Sequence, residues 1–274
     1  MENAHPHAPI VLVHGIFGFN QLTLGGRHVA DYFRGIRNAL QADGHNLPLP
    51  PQLKTAGGIT ERAQDLKNYL EDHTDPPAGV SGERVHLIAH SLGGLDARYM
   101  ISRLGMAGRI LTLTTIGTPH HGSSLADSVT TITGTVLTHI KDHLGFDLTG
   151  IDDLTTEKCK QFNAEVPEAA DLRYFSVAGQ FVPHYFAGIP LGILGPFHDI
   201  IQSKEGDNDG LVSVQSAKFG QSPERWEFLG TWEANHFRLI NWGANILPSE
   251  AESADNSIVD RYRALANLID PLPL

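Results

Sequence analysis

Ser91 sits in the run Ala89-His90-Ser91-Leu92-Gly93, with small residues two positions before and two after it. A serine hydroxyl is inert at neutral pH unless a base removes its proton and an acid orients that base. The spacing is that of a nucleophile elbow, G-x-S-x-G, with Ala standing in for the first Gly. The turn is tight, so the flanking residues must be small, and alanine adds only a methyl. Such a turn lifts the hydroxyl out of a sheet and aims the N-terminus of the next helix at a reacting carbonyl.

Where a serine occupies such an elbow, the chain order is serine, then acid, then histidine. The chain has 15 histidines. His14, His90, His120 and His121 precede or closely follow the serine and so fall in the wrong order. His236 is the last histidine, in a loop after the final predicted strand, and is the candidate base. For the acid, Asp207-Asn208-Asp209-Gly210-Leu211-Val212 is the informative stretch. Asp209, followed by Gly and apolar residues, is the candidate; Asp207 is the nearer competitor and Asp199 the more distant one. The same stretch has a faint D-x-D-G calcium-loop pattern. Counted from Asp207, however, Val212 and Lys218 occupy the positions that require Gly and Glu. Near the N-terminus, His14-Gly15-Ile16-Phe17-Gly18 closes the first predicted strand. Its glycine-flanked turn can present the Ile16 N–H to an oxyanion, with the Leu92 N–H as the second donor.

Five apolar, β-branched runs supply the strands that position these groups: Ile10 to Val13, Val85 to Ala89, Ile110 to Ile116, Tyr174 to Ala178 and Glu227 to Thr231. Between them lie helical stripes. Val29, Phe33, Ile36 and Leu40 recur at helical spacing, with Gly44 as the stop. Ile59, Ala63, Leu66 and Leu70 form a second stripe, Leu92 to about Leu104 a third, and Ile258, Tyr262, Leu265 and Ile269 a closing one. Strands alternating with helices imply an α/β domain, with a mostly parallel central sheet covered on both faces. From about 121 to 170 the pattern weakens into Thr- and Gly-rich helices. This stretch reads as an insertion over the strand ends, where open α/β sheets place their ligands.

Composition narrows the classes. At 274 residues a single domain spanning 1–274 is expected, and 41% hydrophobic with 19% charged residues excludes a disordered chain. The net charge of −11 repels phosphate backbones and anionic head groups, which argues against nucleic-acid binding. The single cysteine, Cys159, cannot form an internal disulfide or a thiolate zinc site. No apolar run reaches the roughly 18–20 residues that span a bilayer, and the first residues lack a basic and apolar leader. A cytoplasmic location is favoured, with secretion left open.

Four motifs in order carry a resemblance: His14-Gly-Ile-Phe-Gly-Phe19, His90-Ser-Leu-Gly-Gly-Leu-Asp-Ala-Arg-Tyr99, Gly117-Thr-Pro-His-His-Gly-Ser123 and Asn208-Asp-Gly-Leu-Val212. The chain resembles the bacterial and fungal triacylglycerol lipases of the α/β-hydrolase superfamily. That resemblance implies a Ser91–Asp209–His236 triad and oxyanion donors at Ile16 and Leu92. It also implies a helical lid at about 125–170 that meets a lipid interface. Phe17, Phe19 and the segment from Phe186 to Phe197 would hold the acyl chain. The substrate would be a lipid or other ester, and no metal or organic cofactor would take part in the chemistry. One departure matters. Where relatives carry N-H-L-D or D-H-L-D around the base, with the aspartate binding calcium in the calcium-dependent bacterial members, this chain has Asn235-His236-Phe237-Arg238. Arginine cannot ligate calcium. Two alternatives stay open at this point: a carboxylesterase of short or soluble esters, with polyester cleavage as a side activity, and a catalytically silent binder of a lipid or partner.

Overall fold

The computed structural model describes residues 7–16, 21–24, 27–55, 57–72, 80, 82–131, 149–186, 189–190, 194–220, 222–242 and 256–271. Its core is a five-stranded sheet: β1 (Ile10–Val13), β2 (Val85–His90), β3 (Ile110–Ile116), β4 (Arg173–Gln180) and β5 (Trp226–Glu233). The strands lie side by side in chain order, and every neighbouring pair is parallel. All five strands expected from the apolar runs are present.

Side-chain alternation assigns each strand residue to one of two apolar layers. Ile10, Leu12, Ile88, Ile116, Phe175 and Val177 pack against Ile36 and Leu40 of helix α1 (Ile36–Ala42) and Ile258, Tyr262 and Leu265 of the closing helix Asn256–Ile269. Val11, Val13, Leu87, Ala89 and Leu113 meet Leu66 and Leu70 of α2 (Ile59–Glu71) and Met100 and Ile101 of α3 (Leu92–Arg103). Burial on both faces is why these strands read as unbroken apolar runs rather than alternating ones.

One expected element is shorter than its pattern. The stripe beginning at Val29 predicts a helix through Leu40, but Arg27–Asp31 is a strand paired antiparallel with Gln21–Leu24, and α1 starts only at Ile36. Gly35 has φ of +71°, which separates the two conformations. Phe33 is buried in the same cluster as Ile36 and Leu40, so it mimics the helical spacing without being helical.

The insertion after β3 begins with α4 (Ser124–Thr131) and, after residues 132–148 of the expected lid, which lie outside the described residues, resumes with the short helix Thr149–Asp152 and then α5 (Thr156–Glu165). Its ends are fastened. Cys159 of α5 is buried among Ile59, Leu92 and Leu95. The Asp127 carboxylate accepts from the Thr156 N–H at 2.8 Å and the Thr156 hydroxyl at 2.9 Å, and Asp153 caps α2 by accepting the Ile59 N–H at 2.9 Å. Among the described residues, no helix is long and apolar enough to cross a membrane.

Candidate active site

Ser91 is the residue between β2 and α3, with φ of 55° and ψ of −131°. A side chain in that region costs about 1–3 kcal/mol and persists only where the surroundings over-determine it. Here three hydrogen bonds do so: the Ser91 N–H donates to the Ile116 carbonyl at 2.9 Å, and the Ser91 carbonyl accepts from the Gly94 N–H at 3.0 Å and the Thr118 hydroxyl at 2.8 Å. The glycines after the serine have a further reason to be small. A methyl on Gly93 would sit 2.7 Å from the His14 carbonyl oxygen, and one on Gly94 would overlap the Thr118 hydroxyl. The elbow is therefore pressed directly onto the loops that follow β1 and β3.

Asp209 and His236 meet at the same end of the sheet. His236 Nδ1 lies 2.7 Å from Asp209 Oδ2, and the His236 N–H donates to the Asp209 carbonyl at 2.9 Å. Both side chains are buried. A carboxylate can only accept, so Nδ1 carries the hydrogen and Nε2 presents a lone pair. The other carboxylate oxygen, Oδ1, accepts the N–H groups of Leu211 at 3.0 Å and Val212 at 2.8 Å. Asn208 in turn accepts the Gly210 N–H at 2.8 Å, and Gly210 takes φ of +95°. Each residue of the Asn-Asp-Gly-Leu-Val run thus has a local task in holding one carboxylate. The competitors are placed elsewhere: Asp207 is exposed, and Asp199 has its carboxylate 3.2 Å from His198 Nδ1. A methyl on Gly117, next to the Ile116 that anchors Ser91, would lie 3.1 Å from Asp209 Oδ2 and 3.5 Å from His236 Cε1. Ser91, Asp209 and His236 are thereby gathered at the strand ends. Among the described residues no hydrogen bond joins Ser91 to His236 directly. Such bonds commonly tighten only once substrate is bound.

Gly15 borders the serine. A methyl there would approach Ser91 Cβ to 2.8 Å, and the next residue, Ile16, packs on the same small cluster as Leu92. As the first residue of α3, Leu92 has a backbone N–H with no acceptor inside the helix. The loop bearing Gly15 is held by a buried cation. Arg62 Nη2 donates to the His14 carbonyl at 2.8 Å and to the Gly15 carbonyl at 3.2 Å, while its Nε donates to Asp96 Oδ2 at 2.8 Å. Both members of that ion pair have no solvent exposure. Burial, opposed by Arg62, pushes the Asp96 carboxyl up to about 7. Burial and then Arg62 lower His14 to about 4, so its ring is uncharged at neutral pH. His14 Nε2 accepts the Leu53 N–H at 3.1 Å, which leaves Nδ1–H to donate to the Gly15 carbonyl at 2.9 Å. Phe17 and Phe19 lie outside the described residues.

Sequence reasoning set His14 and His90 aside, passed over Tyr32 and Arg62, and quoted Asp96 and Thr118 within motifs without giving either a role. Chain order dismisses the two histidines as bases, and that test is blind to neutral rings that hold loops in place. The advance signal for a structural role of Arg62 and Asp96 was a charged residue on the buried stripe of a helix, a position that requires a partner.

The family described as "Putative serine esterase (DUF676)" matches residues 4–219. Triacylglycerol lipase 2 of Saccharomyces cerevisiae is 32% identical over 216 residues, which are 77% of this chain and 63% of that protein. The chain therefore spans somewhat less than two thirds of that relative. A triacylglycerol lipase of Vibrio cholerae is 30% identical over 78% of this chain and 74% of its own length. Among solved structures, the mature Bacillus licheniformis lipase superposes with a TM-score of 0.67 at 23% identity, covering 88% of this chain and 89% of that one. That likeness carries the fold, which is of α/β-hydrolase type.

Proposed function

We propose, for a chain that belongs to the serine esterase family, the hydrolysis of carboxylic esters with an apolar acyl chain, triacylglycerols being the substrate class. One observation carries the reading: a buried Asp209–His236 pair at 2.7 Å, gathered with a strained serine at the elbow between a strand and a helix. The two relatives called triacylglycerol lipase support the substrate class.

Ser91 Oγ attacks the ester carbonyl carbon and passes its proton to His236 Nε2. The carbonyl oxygen becomes an oxyanion facing the N–H groups of Ile16 and Leu92; in such sites one donor is worth about 10²–10³ in rate. The imidazolium that forms is stabilised by Asp209 through Nδ1–H. Collapse expels the alcohol oxygen, which takes the proton from His236 and leaves an ester on Ser91. Water then attacks that ester, His236 receives its proton, and the proton returns to Ser91 as the acid departs. The insertion at about 125–170 covers this site and meets the lipid surface when it opens; its fastened ends at Asp127–Thr156 supply a fixed frame for that movement. Phe17 and Phe19, directly after the oxyanion loop, contribute to the acyl pocket.

Turnover of p-nitrophenyl esters of increasing acyl length, beside emulsified triglyceride, tests the reading. The expected result is a rate that rises towards long chains together with release of fatty acid from the emulsion. Activity confined to short, soluble esters would replace the lipase reading by that of a carboxylesterase. No turnover of any ester would leave a lipid or partner binder.

A second expectation concerns calcium. Arg238 occupies the position two residues after the base, where calcium-dependent members of the family it resembles carry an aspartate ligand, and a guanidinium offers donors only. Asn235 Oδ1 accepts the Arg238 N–H at 2.9 Å, so a hydrogen bond within the base loop itself braces it. Activity and melting temperature are expected to be unchanged in excess EDTA. A drop in either, reversed by added calcium, would contradict this.

A further inference from the structure

Three loops of the site are joined by a chain of hydrogen bonds that the proposed hydrolysis does not use. The Gly15 N–H donates to the Tyr32 hydroxyl oxygen at 3.2 Å. The same oxygen lies 2.8 Å from His90 Nδ1, and His90 Nε2 lies 3.2 Å from the His236 carbonyl oxygen. The two ends decide every proton between them. A backbone N–H can only donate, so the Tyr32 oxygen accepts there; its own hydrogen points to His90 Nδ1 because the neutral His90 ring carries its one hydrogen on the other nitrogen. A carbonyl can only accept, so His90 Nε2 carries the ring hydrogen. One tautomer satisfies all three contacts, and the chain runs in a single direction from the oxyanion loop to the loop of the base.

We propose that Tyr32 and His90 are positioning residues: a hydrogen-bonded strut that fixes the oxyanion loop and the His236 loop relative to Ser91. The inference rests on the ester-hydrolase reading above. Each end of the strut bears on the chemistry. Gly15 precedes the oxyanion donor Ile16, and a methyl on it would come within 3.0 Å of the Tyr32 hydroxyl and 2.8 Å of Ser91 Cβ. His90 is bonded to Ser91, and its ring lies over the His236 ring with centroids 4.5 Å apart at 45°. His236 is thus held on one side by Asp209, at Nδ1 and at its N–H, and on the other by His90, at its carbonyl. Tyr32, His90 and His236 are buried, so water is poorly placed to replace any member of the chain. Burial, and then the neighbouring His236, hold His90 well below its ordinary pKa, which keeps the ring in the neutral form the strut requires.

A packing role would leave a different signature. Tyr32 also touches the Phe33 ring, at 5.2 Å between centroids, and that contact survives Tyr32→Phe. Only the hydroxyl is lost, leaving the Gly15 N–H and His90 Nδ1 without it. On a soluble p-nitrophenyl ester, Tyr32→Phe is expected to lower kcat by about 10–100-fold, the scale of a misplaced oxyanion donor or base, with KM nearly unchanged. His90→Phe keeps an aromatic ring against His236 and removes the same strut, so it is expected to give a similar loss. The double variant should lose little more than either single one, because one strut cannot be broken twice. Melting curves identify variants folded at the assay temperature, and either single variant suffices for the kcat test. A folded Tyr32→Phe or His90→Phe protein with wild-type kcat would overturn the strut, and so would losses that multiply in the double variant. Ser91→Ala, assayed alongside, separates the two readings: if it retains hydrolysis, Ser91 is not the nucleophile, and the serine-hydrolase site on which the strut is argued falls with it. If it is inactive while the single variants turn over normally, the strut alone falls.

Discussion

Ser91→Ala is expected to lower kcat by about 10⁴–10⁶-fold while the melting transition stays in place. The size of the effect follows from the role proposed for the serine. Without Oγ there is no acyl-enzyme, and His236 and Asp209 have no proton to move. Water attacking directly would still find the oxyanion donors, which is why the loss stops short of the uncatalysed rate. The fold should tolerate the change, because the hydrogen bonds that set the elbow use the Ser91 backbone rather than its hydroxyl. A folded Ser91→Ala protein that keeps more than a few per cent of the activity would remove the serine from the mechanism.

Asp209→Asn is expected to cost about 10⁴ in kcat, close to the loss seen when a triad carboxylate becomes an amide. The local geometry explains the severity. Oδ1 already accepts two backbone N–H groups, from Leu211 and Val212, and an asparagine would keep its oxygen there. Its NH₂ would then face His236 Nδ1. That nitrogen would have to become an acceptor, moving the ring hydrogen to Nε2, where the serine needs a lone pair. Asp207→Asn serves as the contrast. Asp207 is exposed, and its carbonyl rather than its side chain holds the local turn by accepting the Val214 N–H at 2.8 Å. It should retain nearly full activity. The reverse pattern, with Asp207→Asn dead and Asp209→Asn active, would mean that the wrong carboxylate has been chosen.

The parallel sheet was legible in the sequence because burial on both faces makes each strand a dense apolar run, whatever the loops between them do. The candidate triad was legible for a different reason. An elbow needs small residues around Ser91, and the turn at Asp209 needs the adjoining Asn208 and Gly210, so local backbone demands left marks at fixed spacing. Where such demands are weak, the reading blurred. Phe33 buries a side chain in register with Ile36 and Leu40 from a non-helical segment, and a spacing rule cannot separate the two cases. The residues that hold the site were hidden for a third reason. Arg62 and Tyr32 lie outside every motif, and their value comes from contacts with backbone carbonyls and amides of His14 and Gly15, which have no residue-type signature.

The central claim, that Ser91 is the nucleophile of a serine ester hydrolase, is tested most directly by a p-nitrophenyl alkylphosphonate. Its phosphorus is attacked as an ester carbonyl would be, p-nitrophenolate leaves, and the adduct cannot be hydrolysed at a useful rate. Peptide mass spectrometry of the labelled wild-type chain is expected to show one phosphonyl group, on Ser91, with ester turnover lost in proportion to labelling. Turnover that persists in an unlabelled protein, or a label on any other residue that accounts for the inactivation, would contradict it.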